Sequence, residues 1–405
     1  MINNLYTPIM GSSHLVLAFS YLISLYRDRF LLYDIKKYPF KKISILIACV
    51  YIIIALQSYW MPFVYSIYIA IGEYLLSFFM LFVGYHAVKT PSDYDKIIRL
   101  LKPIVLVSSI YGLICFVLQD NPYNDIIGIS DIGSNYNAKE ALRGYRISAF
   151  SSTSNPHALL LIVCSFLIIN YEQTKYSYIL LILSLFNIVL SASRAPLFDL
   201  AILILTYFLL SNNLKKKLKV IFLSVIILFI LFQIPFFEFY ISKAINSSLD
   251  IFKEVDEQEI GGSSIECRIM QFESGWNYLI EKPWFGHGFR YYSDIIFEPD
   301  SINNGLLGME SYLLMLFVEQ GSIMIILSFT FYFSLFHFIL KKRNNPYYRI
   351  PLALSIMFMA HLLMNRPTDF YEYVLPFIGI SIKMLSMQQI NENSYRLKQM
   401  NVWFK

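Results

Sequence analysis

Six arginines stand away from the basic clusters of this chain: Arg143, Arg146, Arg194, Arg268, Arg290 and Arg366. A guanidinium is planar and permanently charged, and it grips phosphate oxygens in a two-pronged fork. At the edge of an apolar medium it is costly unless it meets an anion. Singly, each arginine also has a plainer reading, as a side chain that snorkels to lipid headgroups or pairs with a carboxylate. As a group they suit a ligand bearing phosphate or pyrophosphate. Arg194 lies in Leu190-Ser-Ala-Ser-Arg-Ala-Pro-Leu197, a break between two apolar runs. Serines and a proline at such a break free backbone groups that can bind a ligand. Arg143-Gly-Tyr-Arg-Ile-Ser-Ala-Phe-Ser-Ser-Thr-Ser-Asn-Pro-His157 sets two arginines and many hydroxyls before another apolar run. Asn155 and the hydroxyls suit sugar contacts, and Ser154 or Asn155 also reads as a helix cap with Pro156 in the first turn.

The richest stretch covers residues 267–321. It holds Arg268 and Trp276, then Glu281-Lys-Pro-Trp-Phe-Gly-His-Gly-Phe289, Asn303-Asn-Gly305, Glu310-Ser-Tyr312 and Glu319-Gln-Gly321. Gly286 and Gly288 flank His287 in a turn where backbone can come close to a ligand. A lone Gly-x-Gly is weak grounds for phosphate binding, and no Rossmann-type strand precedes it. His287 reads as a base, a phosphate contact or a satisfied loop histidine. Glu310 opens an apolar run, where a carboxylate is costly and calls for a partner or a reaction. A sugar hydroxyl that acts as nucleophile needs a general base within hydrogen-bond reach, and Glu310 or His287 fits that role. The alternative for Glu310 is charge stabilisation at a helix N-terminus. Glu73 and Glu319 read as paired inside a bundle. There is no zinc ligand set, no acidic pair suited to a nucleotide-sugar metal and no Ser-His-Asp spacing, so we expect neither metal nor soluble cofactor.

The elements that must position these residues follow from composition. The 405 residues are 57% hydrophobic and 15% charged, against about 25% charged in a soluble domain. A helix needs roughly 20 apolar residues to cross the hydrocarbon core. Eleven stretches come close: residues 7–26, 43–61, 63–88, 103–119, 157–173, 177–192, 195–211, 219–237, 309–340, 350–366 and 370–387. The expected fold is therefore all-α, a polytopic transmembrane helix bundle of about eleven spans (ten to twelve), with residues 1–405 as one membrane domain. Basic clusters at residues 27–42, 89–102, 215–219 and 341–349 fall on one side together with the C-terminus, and the positive-inside rule makes that side the cytoplasm. The opposite face then carries a first loop at 120–156 and a large loop at 238–308, between the eighth and ninth spans, long enough for short helices of its own. Within it, the acidic residues 251–260 followed by Gly261-Gly262-Ser263-Ser264 read as a solvated helix and a turn. The N-terminus lacks a basic region and a cleavage site, so the first apolar run reads as a retained anchor. The net charge of +5 comes from clusters between spans and is no nucleic-acid signal. The four cysteines have no disulfide or zinc spacing.

Taken in order, these motifs resemble the O-antigen ligase and polymerase superfamily, including its Wzy-type repeat-unit polymerases. The resemblance rests on Ser154-Asn-Pro-His157, the Ser193-Arg-Ala195 break, Arg268 followed by Trp276, Lys282-Pro-Trp-Phe-Gly-His-Gly288, and Glu310-Ser-Tyr-Leu313 with Glu319-Gln-Gly321. It covers about residues 140–325. It implies a metal-independent, inverting membrane glycosyltransferase of the GT-C type, which takes a glycan from undecaprenyl pyrophosphate at the periplasmic face of a bacterial inner membrane. On this reading Arg194 and Arg268, with Arg290 or Arg143, hold the pyrophosphate, and Glu310 or His287 handles the acceptor proton. Arg146, Asn155, Tyr312 and Arg366 add phosphate or glycan contacts. Family ligases usually carry a histidine and an asparagine just before the Tyr-Leu pair, where this chain has Met309 and Glu310, which favours a polymerase. A polymerase implies lipid-linked donor and acceptor glycans and a chain-length regulator protein as partners, with no nucleic acid. The alternatives are a ligase acting on lipid A core, a lipid-linked glycan flippase or transporter, and a shape-type peptidoglycan polymerase. A transporter would gather its charges in a mid-membrane cavity, often between repeats, and neither pattern is visible here.

Overall fold

The computed structural model describes residues 38–126, 145–151, 153–191, 193–210, 265–296, 306, 309, 311–365 and 371–387. Every regular element among them is helical. In chain order these are α1 (Lys41–Gln57), α2 (Phe63–Leu76), α3 (Phe78–Ala87), α4 (Pro91–Leu118), the short α5 (Pro122–Ile126), α6 (Ser154–Tyr171), α7 (Lys175–Leu190) and α8 (Arg194–Leu210). Then follow α9 (Ile265–Glu281), a π-helical turn at Tyr292–Ile296, and the short α10 (Tyr312–Met315), which runs through a second π-turn (Leu316–Gln320) into α11 (Gly321–Lys341). A 3₁₀ turn (Pro346–Tyr348), α12 (Arg349–Met364) and α13 (Tyr371–Met387) complete the set.

Among the described residues, three helices are long and apolar enough to cross a membrane: Pro91–Leu118, Ser154–Tyr171 and Tyr312–Lys341. The pair Phe63–Leu75 and Phe78–Ala87, bent by 45°, is either a fourth, broken span or a re-entrant loop. Shorter apolar helices (Lys175–Leu190, Ala195–Leu210, Arg349–Met364 and Tyr373–Met387) pack beside them. Several apolar spans in one bundle make this a polytopic integral membrane protein. The expected spans at 7–26 and 219–237 lie outside the described residues, as do residues 127–144 of the first expected loop and 238–264 of the second.

Three boundaries differ from the sequence reading, each for a local reason. Helix α4 begins at residue 91, well before the apolar run at 103, because Thr90 and Asp93 form a capping box over Pro91. The amides of Thr90 and Lys89 both donate to Asp93 Oδ2, at 2.8 and 3.2 Å. Lys96, Arg99 and Lys102, expected in a loop, therefore ride on the helix, and Lys102 pairs with Glu172 just beyond α6. The run 63–88 is bent at Ser77, whose hydroxyl donates to the Glu73 carbonyl at 2.5 Å, a local bond that competes with the helical ladder. The run 309–340 is broken at Gly321, for reasons that belong to the site below.

Close helix crossings use small residues, as membrane bundles favour. A Cβ on Gly84 of α3 would fall 1.9 Å from the Pro376 carbonyl oxygen of α13, and one on Gly379 would fall 2.3 Å from that of Leu81. Helix α8 packs on α12, α7 on α6 and α4, and α1 on α2 and α11. Outward faces of α1, α4, α7 and α11 carry exposed Leu46, Val107, Ile179 and Phe333. In a membrane protein that apolar skin faces lipid.

Candidate functional site

A continuous run of contacts brings many helix termini to one end of the bundle. Asn121, just past α4, donates through Nδ2 to Ser148 Oγ (2.9 Å) and the Ala149 carbonyl (2.8 Å). The Ile147 amide reaches Leu190 O at the end of α7 (3.4 Å), and Arg146 Nε donates to Ser191 O at 3.1 Å. The Ser193 hydroxyl donates to Asn155 Oδ1, joining the approach to α8 to the first turn of α6. Helix α8 meets α12 through Asp199 and His361, and the Asn365 carbonyl at the end of α12 accepts from the Tyr312 amide that opens α10 (3.2 Å).

Arg194 is the first residue of α8 and Arg268 lies in the first turn of α9. Both positions are on helices that reach this end. Arg290 has φ +58°; its Nη1 donates to the Tyr65 hydroxyl at 2.5 Å, and its guanidinium lies 5.9 Å from that ring's centre. Arg143, Glu310 and Arg366 lie outside the described residues. Their neighbours are fixed, however. The Met309 amide donates to the Tyr292 hydroxyl (3.2 Å) and the Tyr312 amide to the Asn365 carbonyl. Tyr312 itself is buried, its phenol 3.1 Å from Ser328 Oγ inside the bundle.

The pair Asp199–His361 was not singled out in the sequence. Both side chains are fully buried, with His361 Nδ1 2.5 Å from Asp199 Oδ2. Asn365 Nδ2 is 3.5 Å from the same ring nitrogen. Asp199 Oδ1 has no hydrogen-bond partner among the described residues. Asp199 lies five residues into α8 from Arg194, and His361 lies in the last turn of α12. A buried carboxylate in an apolar span is a signal in its own right, and an intramembrane Asp paired with a His on a separate run could have been flagged. A second polar knot lies nearby. His157 Nε2 is 3.3 Å from Asn187 Oδ1, Asn187 Nδ2 donates to Ser109 O at 3.1 Å, and Gly112 leaves the room for both.

The His287 turn is built differently. The amides of His287 and Gly288 donate to the carbonyls of Val318 (3.0 Å) and Glu319 (2.9 Å), which the π-turn frees from the helical ladder. The amides of Ser322 and Ile323, orphaned at the start of α11, are capped by the carbonyls of Pro283 (2.7 Å) and Trp284 (3.1 Å). A break within a span needs such compensation, since lipid offers no hydrogen bonds. Gly286 (φ +67°) and Gly321 (φ +71°) make the approach feasible. A Cβ on the first would lie 2.5 Å from Gln320 N, and one on the second 2.4 Å from Gly286 N. Gly288 packs the same turn against Ser58 and Trp60. The close backbone approach anticipated at this Gly-His-Gly is thus made by the protein's own broken span.

His287 is 1% exposed. Its Nδ1 lies 3.1 Å from the Val318 carbonyl, its ring stacks on Tyr291 at 4.5 Å, and its Nε2 faces Glu281 Oε2 at 3.5 Å. Burial pushes the imidazole below its ordinary range, against the opposing pull of the Val318 carbonyl and the Glu281 charge. The ring is an enclosed group. Glu319 is likewise internal, its carboxylate accepting from the Tyr292 amide at 3.1 Å.

Comparison with known proteins covers the centre of this arrangement. Residues 179–329 match the family model described as O-Antigen ligase. The matched stretch contains Arg194, Asp199, Arg268, His287, Arg290, residue 310 and Tyr312, and leaves Asn155 and His361 outside. No curated protein matches the chain.

Proposed function

From a chain whose residues 179–329 form an O-antigen ligase/polymerase family domain, we propose a polysaccharide polymerase that joins undecaprenyl-pyrophosphate-linked repeat units at the periplasmic face of the bacterial inner membrane. Members of that family are membrane enzymes that transfer glycans, with lipid-linked glycans as substrates. The observation that supports the finer reading is the convergence at one end of the bundle of the first residue of α8, the Asn155 turn and the Tyr312 amide bonded to the end of α12. With the eleven-span topology, that end faces the periplasm and the C-terminus faces the cytoplasm.

In this mechanism Arg194 and Arg268, with Arg143, Arg290 or Arg366, hold the donor pyrophosphate. The acceptor sugar oxygen forms a bond to the anomeric carbon of the donor as the bond from that carbon to the pyrophosphate oxygen breaks. Undecaprenyl pyrophosphate leaves with the electron pair, and the arginines stabilise its growing charge. The acceptor hydroxyl proton passes to the Glu310 carboxylate. Attack from the face opposite the leaving group inverts the anomeric centre, and neither metal nor cofactor takes part. Asn155 and Arg146 line the glycan path. The enclosure of His287 and its contact with the Val318 carbonyl support a scaffold role for that residue, which leaves Glu310 as the base.

The test is polymerisation by the purified protein in nanodiscs, supplied with undecaprenyl-pyrophosphate repeat units and no metal or nucleotide sugar. A ladder of longer lipid-linked glycans is the expected result. The family description favours a second reading, a ligase. Transfer to added lipid A core with no ladder would establish it in place of the polymerase. Neither product would turn attention to a flippase.

A further inference from the structure

Helix α9 carries three stripes at four-residue spacing. Gln271, Gly275 and Leu279 face the protein: the first and last are buried, and a Cβ on Gly275 would lie 2.9 Å from Leu314 Cδ2. Phe272, Trp276 and Ile280 form the second stripe, with Ile269 one turn before them, and these side chains are 39, 54, 62 and 53% exposed in that order. Glu273, Asn277 and Glu281 form the third, also exposed. A helix at a water–protein boundary needs only two kinds of face. The additional large apolar stripe, set between the protein side and the carboxylate side, calls for a third medium.

The break in the long span fixes the depth of this helix. The span Tyr312–Lys341 ends in Lys341, Lys342 and Arg343. At 1.5 Å per residue, about 20 residues cross a hydrocarbon core of about 30 Å. Counted back from Lys341, that length ends at the Gly321 break. The carbonyls of Pro283 and Trp284, just past α9, are hydrogen-bonded to Ser322 and Ile323 at that very level. Trp284 is 67% exposed there, and Trp276 meets Phe317, just before the break, edge to face at 5.9 Å. Tryptophan favours the level where headgroups meet acyl chains.

We propose that α9 is an interfacial helix. Its Ile269–Phe272–Trp276–Ile280 stripe and Trp284 are immersed in bilayer lipid at the boundary between headgroups and acyl chains, and its Glu273–Asn277–Glu281 stripe faces water. Arg268, in the first turn of α9, is thereby held at the membrane surface, at the height of a lipid-borne phosphate. The inference rests on the span and its break, and it stands whether the protein polymerises, ligates or transports glycans.

The experiment is tryptophan emission from the full-length protein in vesicles of phosphatidylcholine brominated at shallow or deep acyl positions. Wild type is compared with Trp276→Phe and Trp284→Phe, so that the emission each substitution removes is assigned to that residue. Shallow bromines should abolish most of that emission, more than deep bromines do, and aqueous acrylamide should remove little of it. Emission that survives both bromolipids and yields to acrylamide overturns the proposal. So does bromolipid quenching that disappears when undecaprenyl pyrophosphate is added, because the stripe would then hold a polyprenyl chain in place of bulk lipid. If one variant fails to fold, the other still assigns the emission of its own tryptophan and separates the same outcomes.

Discussion

The two polar regions at this end of the bundle are built from opposite materials. Around His287 the bonds are almost all backbone to backbone: four amide–carbonyl contacts join the turn at 283–288 to residues 318–323, and two positive-φ glycines let the chains touch. Around Asp199 the bonds are between side chains on separate helices. They join His361 to Asp199 and Asn155 to Ser193, and one carboxylate oxygen has no hydrogen-bond partner among the described residues. The first region has its backbone hydrogen bonds met by its own chain and acts as a clasp on a broken span, while His287 Nε2 and the Gln320 side-chain amide have no hydrogen-bond partner among the described residues. The second holds polar capacity beside the first residue of α8. A conspicuous Gly-His-Gly can thus close on its own chain, while plainer polar residues in apolar runs pair across helices.

Separating the Asp199–His361 pair is the strongest way to test that contrast. Removing one partner of a buried hydrogen-bonded pair leaves the other unsatisfied in an apolar interior, which costs about 1–3 kcal/mol or more. Asp199→Leu or His361→Leu should therefore lower the melting temperature of the detergent-purified protein sharply. Asp199→Asn keeps an acceptor for the imidazole and should recover much of the loss, as should the double Leu variant, which leaves no polar partner stranded. Single Leu variants that melt with wild type would show that the pair holds nothing together.

Removing a guanidinium comes next. Arg194→Ala and Arg268→Ala should each slow glycan transfer by about 10²–10³-fold, the usual cost of one charge-stabilising donor, with unchanged melting. The Lys variants should recover part of the rate, since a point charge replaces the fork. Wild-type rates in either Ala variant would detach that residue from the pyrophosphate.

How much of this was legible in the sequence depends on which force fixed each feature. Hydrophobic run length is a local property, so each apolar run within the described residues reappears as one or more helices, and the segment order around Arg194 and Arg268 was sufficient to identify the family domain. The break at Gly321 was not read from the sequence although Glu319-Gln-Gly321 interrupts the apolar run, because the turn that caps it lies some 35 residues earlier. The beginning of α4 was missed because a Thr-Pro-x-Asp cap was outweighed by the charges that follow it. Asp199 and His361 lie 162 positions apart, and each alone reads as a stray polar residue in a span. Only their packing reveals a pair.

The clasp should respond to bulk where the Asp199 region responds to the loss of a polar partner. Gly286→Ala and Gly321→Ala each force a Cβ to within 2.6 Å of backbone at positive φ. Overpacking of this kind costs about 1–3 kcal/mol. The expected outcome is a lower melting temperature, with the transfer rate per folded molecule close to wild type. A rate loss with no change in melting would mean that the turn touches substrate.

The smallest effect is expected at His287, where it is most informative. Burial depresses this imidazole below 6.5, so the unfolded chain takes up the proton first as pH falls. The stability it contributes is therefore complete above about 6.5 and declines as pH drops through that value toward the folded one. Wild-type melting should fall more between pH 7 and pH 5 than that of His287→Gln, which keeps a polar group beside Val318 and cannot titrate. At neutral pH the same variant should transfer glycan at close to the wild-type rate, because the proposed base is Glu310. A loss comparable to that of Arg194→Ala, with melting intact, would return proton transfer to the imidazole and erase the distinction between clasp and site.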